Sequence, residues 1–370
     1  MAGQPKPAFY VVLGVVVVGL IGFAIWRLSP KPTRPDRTDD IPTPNKDGLT
    51  GEKVPPNTRV DPADLTEKEY EIVPEQRLIP VKGTSAYTPL KETGGTVHFA
   101  INVWAGWAPI ILANEGFKAG KVWKTPDGQE FKVELVLIDD VQAMREAYAT
   151  GKVHIGWGTL DMVPLFLQTL VKEDGTPIDT RIMPRIYQQI DWSNGGDGIV
   201  VRKEIQTVSQ LKGKQLALAQ FSPSHYFALN MLVNGGVQPR DVKFVYTKTA
   251  FQAATVFNER PDIAGCVSWS PDIYKLIEVQ GNRMLVSTAD ANKLIADVWF
   301  ARADFARDYP GIIEGLVRGI FDAIDELTQE PADKAQPVKQ RAAELMAAKE
   351  GYNLPVKVTL DMQADAHLTN

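Results

Sequence analysis

Cysteine and histidine are scarce in this chain, whose 370 residues include one cysteine and four histidines. A single cysteine excludes a disulfide within the chain and a zinc site built from several thiolates. Cys266 stands in the apolar run AGCVSW and is predicted to be a small buried side chain. Of the histidines, only His225 lies outside a predicted strand and away from the end of the chain, and no base or nucleophile is evident beside it.

Several motifs of enzymes are also absent from the sequence. It contains no Gly-x-Ser-x-Gly elbow, no phosphate-binding loop and no His-Glu-x-x-His pair. The net charge is -5, and no basic stripe is present that could neutralise the phosphates of a nucleic acid. The sequence therefore predicts neither an enzyme nor a nucleic-acid partner, and it indicates no cofactor and no metal.

One long apolar run stands near the start of the chain. Residues 8–26, AFYVVLGVVVVGLIGFAIW, carry no charge and would span about 28 Å as a helix, close to the thickness of the hydrocarbon core of a bilayer. The run ends at Ile25-Trp26-Arg27, which is a poor cleavage site, so residues 1–26 are predicted to be a transmembrane anchor rather than a cleaved signal peptide. Only Lys6 precedes the run, whereas four basic residues follow it closely. Basic residues are enriched on the cytoplasmic side of a membrane span, so this count alone places the rest of the chain in the cytoplasm.

Residues 27–95 contain eleven of the 26 prolines, many charges and almost no apolar periodicity. Such a composition cannot bury enough surface to offset the entropy lost on ordering, so this segment is predicted to be an extended tether. Only residues 70–81, YEIVPEQRLIPV, are apolar enough to lie along a folded body.

From residue 96 onward, predicted strands alternate with predicted helices. This alternation is typical of α/β folds, in which helices cover both faces of mostly parallel sheets. Glycine-rich or polar crossings at residues 189–198 and 289–299 divide the pattern into two parts. We expect lobe 1 to comprise residues 96–197 and 297–370 and lobe 2 to comprise residues 198–296, joined by two strands as a clamshell.

Four of the apolar strands end in small, aromatic and hydroxyl residues. These strand ends lie in VHFAINVWAGW (97–107), GKVHIGWGTLD (151–161), LALAQFSPSHYF (216–227) and AGCVSWSPD (264–272). In open α/β sheets, ligands bind outside the carboxyl ends of the strands. The four ends therefore predict one cleft that holds a small molecule.

The candidate ligand contacts follow from the chemistry of these ends. Indole faces suit stacking on a flat or cationic group, and a serine at a helix start can seat an anion or simply cap the helix. Several carboxylates and no arginine fall in the predicted cleft, which favours a solute with an amine portion, or a zwitterion. The predicted ligand-binding residues are Trp104, Gly106, Trp107, Thr159, Asp161, Asp191, Trp192, Ser222, Ser224, His225, Trp269, Asp272 and Asp297.

Five segments in this order resemble the periplasmic solute-binding proteins of ABC importers. They are INVWAGWAPIILANEGF, LVLIDDVQAMREAYATGKVHIGWGTLD, GDGIVVRKE, TVSQLKGKQLALAQFSPSHYFAL and VSWSPDIYKL. The likeness runs from about residue 96 to the end and is to the branch that binds nitrate, sulfonates, taurine and thiamine pyrimidines. It implies a type II two-lobed fold and a small polar or zwitterionic solute that is delivered to an ABC permease.

The resemblance also implies a location. It places the binding domain on the periplasmic or extracellular side of the inner membrane, which conflicts with the count of basic residues around the apolar run. Members of this family usually arrive through a cleaved signal or a lipidated cysteine, and this chain offers neither. Two alternatives therefore stay open: an envelope sensor or scaffold that keeps the clamshell without transport, and an enzyme of the thiamine-pyrimidine or menaquinone-related type.

Overall fold

A computed structural model describes residues 59–78, 80–291 and 293–369. The predicted anchor, residues 1–26, and the first part of the predicted tether lie outside the described residues. Within the described part, no helix is both long enough and apolar enough to cross a bilayer.

The alternation of strands and helices along the chain is as the sequence predicts. The strands are β1 Ile72–Val73, β2 Thr96–Ile101, β3 Trp123–Lys124, β4 Glu130–Leu137, β5 Ile155–Thr159, β6 Pro184–Ser193, β7 Asp197–Arg202, β8 Gln215–Ala219, β9 Lys243–Thr247, β10 Gly265–Trp269, β11 Asn282–Ser287, β12 Ala296–Arg302 and β13 Ala366–Leu368. The helices are α1 Ala108–Ala113, α2 Val141–Ala149, α3 Met162–Thr169, α4 Pro223–Asn234, α5 Ala250–Glu259, α6 Asp272–Ile277, α7 Ala303–Asp308, α8 Pro310–Leu327, α9 Ala332–Ala347 and α10 Val356–Met362.

The strands form two sheets, each with its own apolar core. From here on, lobe 1 means the seven-stranded sheet and the helices on it, with the order β13-β6-β12-β5-β2-β4-β3, and lobe 2 means the six-stranded sheet and its helices, with the order β1-β9-β8-β10-β7-β11. Asp197 opens β7 and so belongs to lobe 2, and Ala296 opens β12 and so belongs to lobe 1. Most of the buried side chains of lobe 1 belong to one large cluster, and most of those of lobe 2 belong to two further clusters. Ala250, Phe251 and Trp269 of lobe 2 pack into the large cluster and so join the two cores. The chain passes from the first sheet to the second between Ser193 and Asp197, and it returns between Ser287 and Ala296.

Both sheets are mixed, so the prediction of mostly parallel sheets is wrong. Strand β2 runs parallel to β4 and β5, and β8 runs parallel to β9 and β10. Strands β6, β7, β11 and β12 pair antiparallel with all their neighbours. A helical crossover returns the chain to the same end of a sheet and gives parallel pairs. Strands β7 and β12 come directly from the other lobe without such a crossover, and each runs opposite to both of its neighbours.

Residues 59–95, here called the strap, lie against the folded body. The sequence predicted such contact only for residues 70–81, and the contact extends beyond them on both sides. The Leu65 side chain is fully buried in lobe 2, and Thr66 donates from its backbone N and its hydroxyl to the Asp272 carboxyl, at 3.0 and 2.7 Å to Oδ1. Strand β1 adds to the edge of the lobe 2 sheet by pairing with β9. The first half of the strap is therefore part of lobe 2.

The strap then crosses to lobe 1. The backbone of Gln76 exchanges hydrogen bonds of 2.8 and 2.9 Å with the Gln220 side chain of lobe 2, while its own side-chain oxygen accepts from Gln142 of lobe 1 at 2.6 Å. Further along, the backbone of Val81 donates to Thr169, and that of Ser85 donates to Ala149. The strap is thus a third connection between the lobes, in addition to the two crossings.

Candidate functional site

Polar side chains meet on three neighbouring strands of lobe 1. Asp297 on β12 is paired in register with Thr159 on β5 and with Asp191 on β6. Directly opposite residues of antiparallel strands lie about 5 Å apart and project on the same face. The end of β5 and the neighbouring parts of β6 and β12 therefore present one hydroxyl and two carboxyls side by side.

The loop after β2 closes onto these carboxyls. The indole Nε1 of Trp104 donates to Asp191 Oδ2 at 2.9 Å. A Cβ atom at Gly106 would lie 2.3 Å from Asp191 Oδ2 and 2.5 Å from Trp104 Nε1, so only glycine fits between the indole and the carboxyl. This explains the glycine between the two tryptophans of the loop.

Asp191 and Asp297 form a buried pair of carboxyls. Burial raises the pKa of Asp191 to about 6, and the pKa of Asp297 lies well above its ordinary value because of burial and the neighbouring Asp191 carboxyl. Two adjacent carboxyls in a site of low dielectric constant cannot both ionise readily, and one shared proton leaves a single negative charge on the pair.

Lobe 2 contributes a third carboxyl at the same place. Asp197 opens β7, is paired in register with Trp269 on β10, and its backbone N donates to the Thr288 hydroxyl at 3.2 Å. The same hydroxyl lies 2.8 Å from the Ser193 hydroxyl of lobe 1. Burial, together with the nearby carboxyls of Asp161, Asp191 and Asp365, raises the pKa of Asp197 to about 7.

Asp161 and Asp365 complete the group. Burial raises the pKa of each to about 6. Asp365 Oδ1 accepts from the Tyr274 hydroxyl of lobe 2 at 2.5 Å, and the same hydroxyl donates to the backbone oxygen of Gly195 at 3.2 Å. We call Asp161, Asp191, Asp197, Asp297 and Asp365 the acid cluster.

Several polar atoms of this region are buried without a hydrogen bond of good geometry. They are Thr159 Oγ1, Asp161 Oδ1, Asp191 Oδ1, Ser270 Oγ and Asp365 Oδ2. These atoms lie beside other members of the group: the Thr159 hydroxyl interacts with the Asp161 carboxyl, Asp191 with Asp297, and the Ser270 hydroxyl with Asp365, and each interaction lowers the pKa of Asp161, Asp191 and Asp365 against the effect of burial.

The two lobes are in direct contact over the acid cluster. The indole Nε1 of Trp269 in lobe 2 donates to the backbone oxygen of Val103 in lobe 1 at 3.0 Å. A Cβ atom at Gly196, in the first crossing, would lie 2.3 Å from the Trp104 ring. Asp191, Asp197 and Asp297 are consequently no more than 5 % exposed.

Other predicted residues have different partners. Trp107 is fully buried, donates to Asn102 Oδ1 at 2.7 Å and packs on Phe99 in the core of lobe 1. The Asp272 carboxyl accepts from Thr66 of the strap instead of pointing to the acid cluster with a free oxygen. Trp107 and Asp272 thus each have a partner within the protein that accounts for the burial of the side chain.

The remaining predicted site residues lie at the start of α4 in lobe 2 and on β6 in lobe 1. Ser222 donates its hydroxyl to the Ala219 backbone oxygen at 2.7 Å, while the Ser224 hydroxyl is buried and unpartnered in the first turn of α4. His225 packs among the rings of Phe221, Phe244 and Tyr246, and burial lowers its pKa to about 4. Trp192 is half-buried on β6, one residue after Asp191.

Sequence reasoning missed Asp197 and Asp365. Asp197 lies within the predicted glycine-rich crossing, directly after Gly195-Gly196 and at the start of a strand, and that position was the available signal. Asp365 carries no such signal, because it reaches the cluster only through the pairing of β13 with β6. Within the described residues, no group of three or more histidines, cysteines, aspartates and glutamates is arranged to hold a metal ion.

Comparison with known proteins gives one family and one curated relative. Residues 129–334 match the model of the family described as NMT1/THI5 like. Over 188 residues the chain is 27% identical to the taurine-binding periplasmic protein of Escherichia coli (strain K12), covering 50% of this chain and 54% of that protein. The chain therefore spans about half the length of this relative.

Solved structures share the fold at lower identity. The periplasmic aliphatic sulphonate binding protein SsuA from Escherichia coli is 20% identical, with a TM-score of 0.52 over 74% of this chain and 85% of that chain. The periplasmic nitrate-binding protein NrtA from Synechocystis PCC 6803 is 16% identical, with a TM-score of 0.54 over 72% of this chain and 69% of that chain. The predicted architecture of two sheets covered by helices, like that of periplasmic binding proteins, is confirmed.

Proposed function

This chain belongs to the NMT1/THI5-like family, as the resemblance predicted, and from that premise we propose that it is an extracytoplasmic solute-binding protein. Its two lobes close around a small polar or zwitterionic molecule and deliver it to an ABC permease. The observation that carries the proposal is the meeting of buried carboxyls from both sheets, Asp191 and Asp297 from one and Asp197 from the other, where the two lobes face each other.

The relatives support this class of function. The curated relative is named for binding taurine, which carries an ammonium and a sulfonate group, and a zwitterion of this kind fits both halves of the site. Carboxyls of the acid cluster suit the ammonium, and the buried Ser224 hydroxyl in the first turn of α4 can donate to an anion. No nucleophile stands beside a general base among these residues, which favours binding over turnover.

Closure of the lobes depends on the Trp269 hydrogen bond across the cleft. Trp269→Phe keeps an aromatic ring and removes the donor to Val103, so we expect the closed state to lose population and solute affinity to fall about tenfold. Double electron–electron resonance between spin labels at Lys172→Cys and Asn234→Cys measures the separation of the lobes. Cys266 is fully buried and should stay unlabelled.

Trp157 offers a matched control. Its indole Nε1 donates to the Ile138 backbone oxygen, also at 3.0 Å, but both residues lie in lobe 1. Trp157→Phe should therefore leave the distance between the labels unchanged, whereas Trp269→Phe should add a longer component that a bound solute removes. Identical distance distributions for the two variants, or a library of small solutes that never raises the melting temperature of the full chain, would refute the proposal.

A second candidate function is an envelope sensor, which the strap favours. Gln76 bonds to both lobes, so movement of one lobe against the other acts on the segment that leads to the predicted anchor. A sensor and a transport protein differ in their partner. Crosslinking of the full chain in cells to a permease supports delivery, and crosslinking only to a signalling protein supports sensing.

We also propose that residues 8–26 anchor the protein in the membrane, with the lobes on the extracytoplasmic side. The basis is the uncharged apolar run alone. The full chain is expected to stay in the membrane fraction after carbonate washing and to be digested by protease added outside spheroplasts. Release by carbonate, or protection from the protease, would contradict this proposal.

A further inference from the structure

A small cavity lies under the strap, near the point where the strap crosses between the lobes. Its volume is about 20 Å³, which is room for about one water molecule. Leu78 of the strap and Phe221 of lobe 2 line it, and the rest of its wall belongs to lobe 1. None of the described residues that line it belongs to the acid cluster. The side chains from lobe 1 are almost all apolar and include Val141, Met144, Met162, Phe166 and Phe300.

Arg145 is the exception in this apolar wall. It lies on the buried face of α2 with Val141 and Met144, and it is only 7 % exposed. Its Nε atom is buried without a hydrogen-bond partner, and none of the ion pairs among the described residues includes it. The other polar group of the wall, the Trp157 indole N–H, donates to the Ile138 backbone oxygen at 3.0 Å. The cavity thus presents a buried cation that lacks a partner among the described residues.

The carboxylates that act on Arg145 electrostatically are bonded elsewhere. Asp140 caps α2 by accepting from two backbone N atoms of its first turn, at 2.8 and 3.1 Å. Glu146 accepts from the backbone N of Lys82 in the strap at 3.4 Å. Burial lowers the pKa of Arg145, but a guanidinium keeps its proton in proteins. A buried cation of this kind is costly until an anion meets it.

We propose that this cavity is a second binding site, separate from the acid cluster, and that it takes a carboxylate with an apolar body. The planar fork of the Arg145 guanidinium matches the two oxygens of a carboxylate, and one cation balances one negative charge. The aliphatic and aromatic walls suit the rest of such a molecule, because burial of apolar surface stabilises the complex. An ammonium or a zwitterion would bring a positive charge beside Arg145, and no carboxylate among the described residues lines the cavity to receive it.

The cavity must widen to admit such a ligand, and two of its walls can move away from lobe 1. Leu78 lies in the stretch of the strap that connects its two halves, and Phe221 lies in the loop between β8 and α4. The backbone of Phe221 has a φ of +63°, a left-handed conformation that is strained for a bulky residue. Strain of this kind persists only where the surrounding structure imposes it, and it is common at ligand clamps. Movement of these two segments enlarges the space beside Arg145 and leaves the core of lobe 1 intact.

Isothermal titration calorimetry on the full chain in detergent near neutral pH tests the inference. The probes are benzoate, hexanoate and octanoate, each compared with its uncharged amide of nearly the same shape, and titration into detergent alone corrects for partitioning. We expect at least one carboxylate to bind and its amide to bind at least about tenfold more weakly, because the amide brings no charge to Arg145. An excess of nitrate, which has no apolar body, should not displace the carboxylate. Taurine, the kind of zwitterion proposed for the acid cluster, should not displace it either.

Two variants assign the binding to Arg145. Arg145→Gln and Arg145→Met remove the charge and keep an unbranched side chain, so each should weaken carboxylate binding at least about tenfold. Each should also raise the melting temperature of the ligand-free protein, because a buried charge without a partner is gone. Arg185→Gln is the control and should change neither, since Arg185 is exposed on lobe 1 and donates to the neighbouring Pro184 backbone oxygen.

Several outcomes would overturn the inference. They are equal binding of a carboxylate and its amide, displacement by nitrate or taurine, no binding by any of the three carboxylates, and binding that survives in both Arg145 variants. A melting temperature that falls in both variants, or folding that fails in both, would also overturn it, since the guanidinium would then be compensated within the protein. If only one variant fails to fold, the other decides the point. None of these results bears on the lobe-closure experiment, which judges the solute-binding function separately.

Discussion

Asp197→Asn is expected to raise the free energy of unfolding of the solute-free protein at pH 8 by on the order of 4 kcal/mol. Burial and neighbouring carboxyls raise the pKa of Asp197 from an ordinary value of 3.8 to about 7 in the folded state. At a pH above both pKa values the carboxyl is ionised in the folded and in the unfolded state. Each unit by which the folded-state pKa is raised then lowers the free energy of unfolding by about 1.4 kcal/mol. Asparagine has nearly the same shape and carries no charge to bury.

The sign of the pH dependence follows from the raised pKa. Between pH 4 and 7 the folded protein holds a proton on Asp197 that the unfolded chain has released. The contribution of this group to stability is therefore fully present below pH 4 and is lost as the pH rises through about 7. The advantage of Asp197→Asn should accordingly shrink as the pH is lowered from 8 towards 4.

Urea denaturation at pH 5 and pH 8 measures this difference. Glu173→Gln is the control, because Glu173 is exposed and its substitution should leave the free energy of unfolding nearly unchanged at both values. If Asp197→Asn is no more stable than the unsubstituted protein at pH 8, the charge of the Asp197 carboxylate is already compensated by other groups of the protein. In that case the acid cluster would not carry the electrostatic cost inferred from the raised pKa. A more stable variant that binds solute more weakly is the expected combination, since binding sites often cost stability.

The fold could be predicted from the sequence where strands and helices are long and alternate. The runs that became β2, β8 and α8 carry enough periodicity to identify them without a structure. Strands β1, β3 and β13 have only two or three residues each and exist because of partners far away in the chain. Their pairing depends on tertiary contacts, which a local pattern does not contain.

The site was only partly visible for the same reason. Thr159 and Asp161 stand at a strand end with a recognisable pattern, whereas Asp365 joins them through the β13–β6 pairing. Asp272 also follows a recognisable strand end, but its carboxyl is occupied by Thr66, which comes from a segment predicted to be a tether. Local sequence thus identified strand ends that carry polar side chains, and the long-range partners determined which of those side chains remain available.

Arg302→Leu is expected to lower the free energy of unfolding by about 3–5 kcal/mol. The Arg302 guanidinium is fully buried in lobe 1 and donates to both oxygens of Asp304, at 3.0 and 2.8 Å. It also donates to the backbone oxygens of Tyr148 and Ser85, both at 2.7 Å. Removing one partner of a buried ion pair leaves an uncompensated charge, which is the costly case, and here several carbonyl oxygens lose their donor as well.

Arg181→Leu is the matched control for this substitution. Arg181 also bonds to both oxygens of an aspartate two positions away, Asp179, but its side chain is 46% exposed. Exposed ion pairs contribute about 0–1 kcal/mol, so urea denaturation should separate the two variants clearly. Because Ser85 belongs to the strap, Arg302→Leu should also loosen the strap from lobe 1, and limited proteolysis should then cut the chain before residue 96 faster than in Arg181→Leu. Equal stability and equal cleavage of the two variants would mean that Arg302 neither supports lobe 1 nor fastens the strap to it.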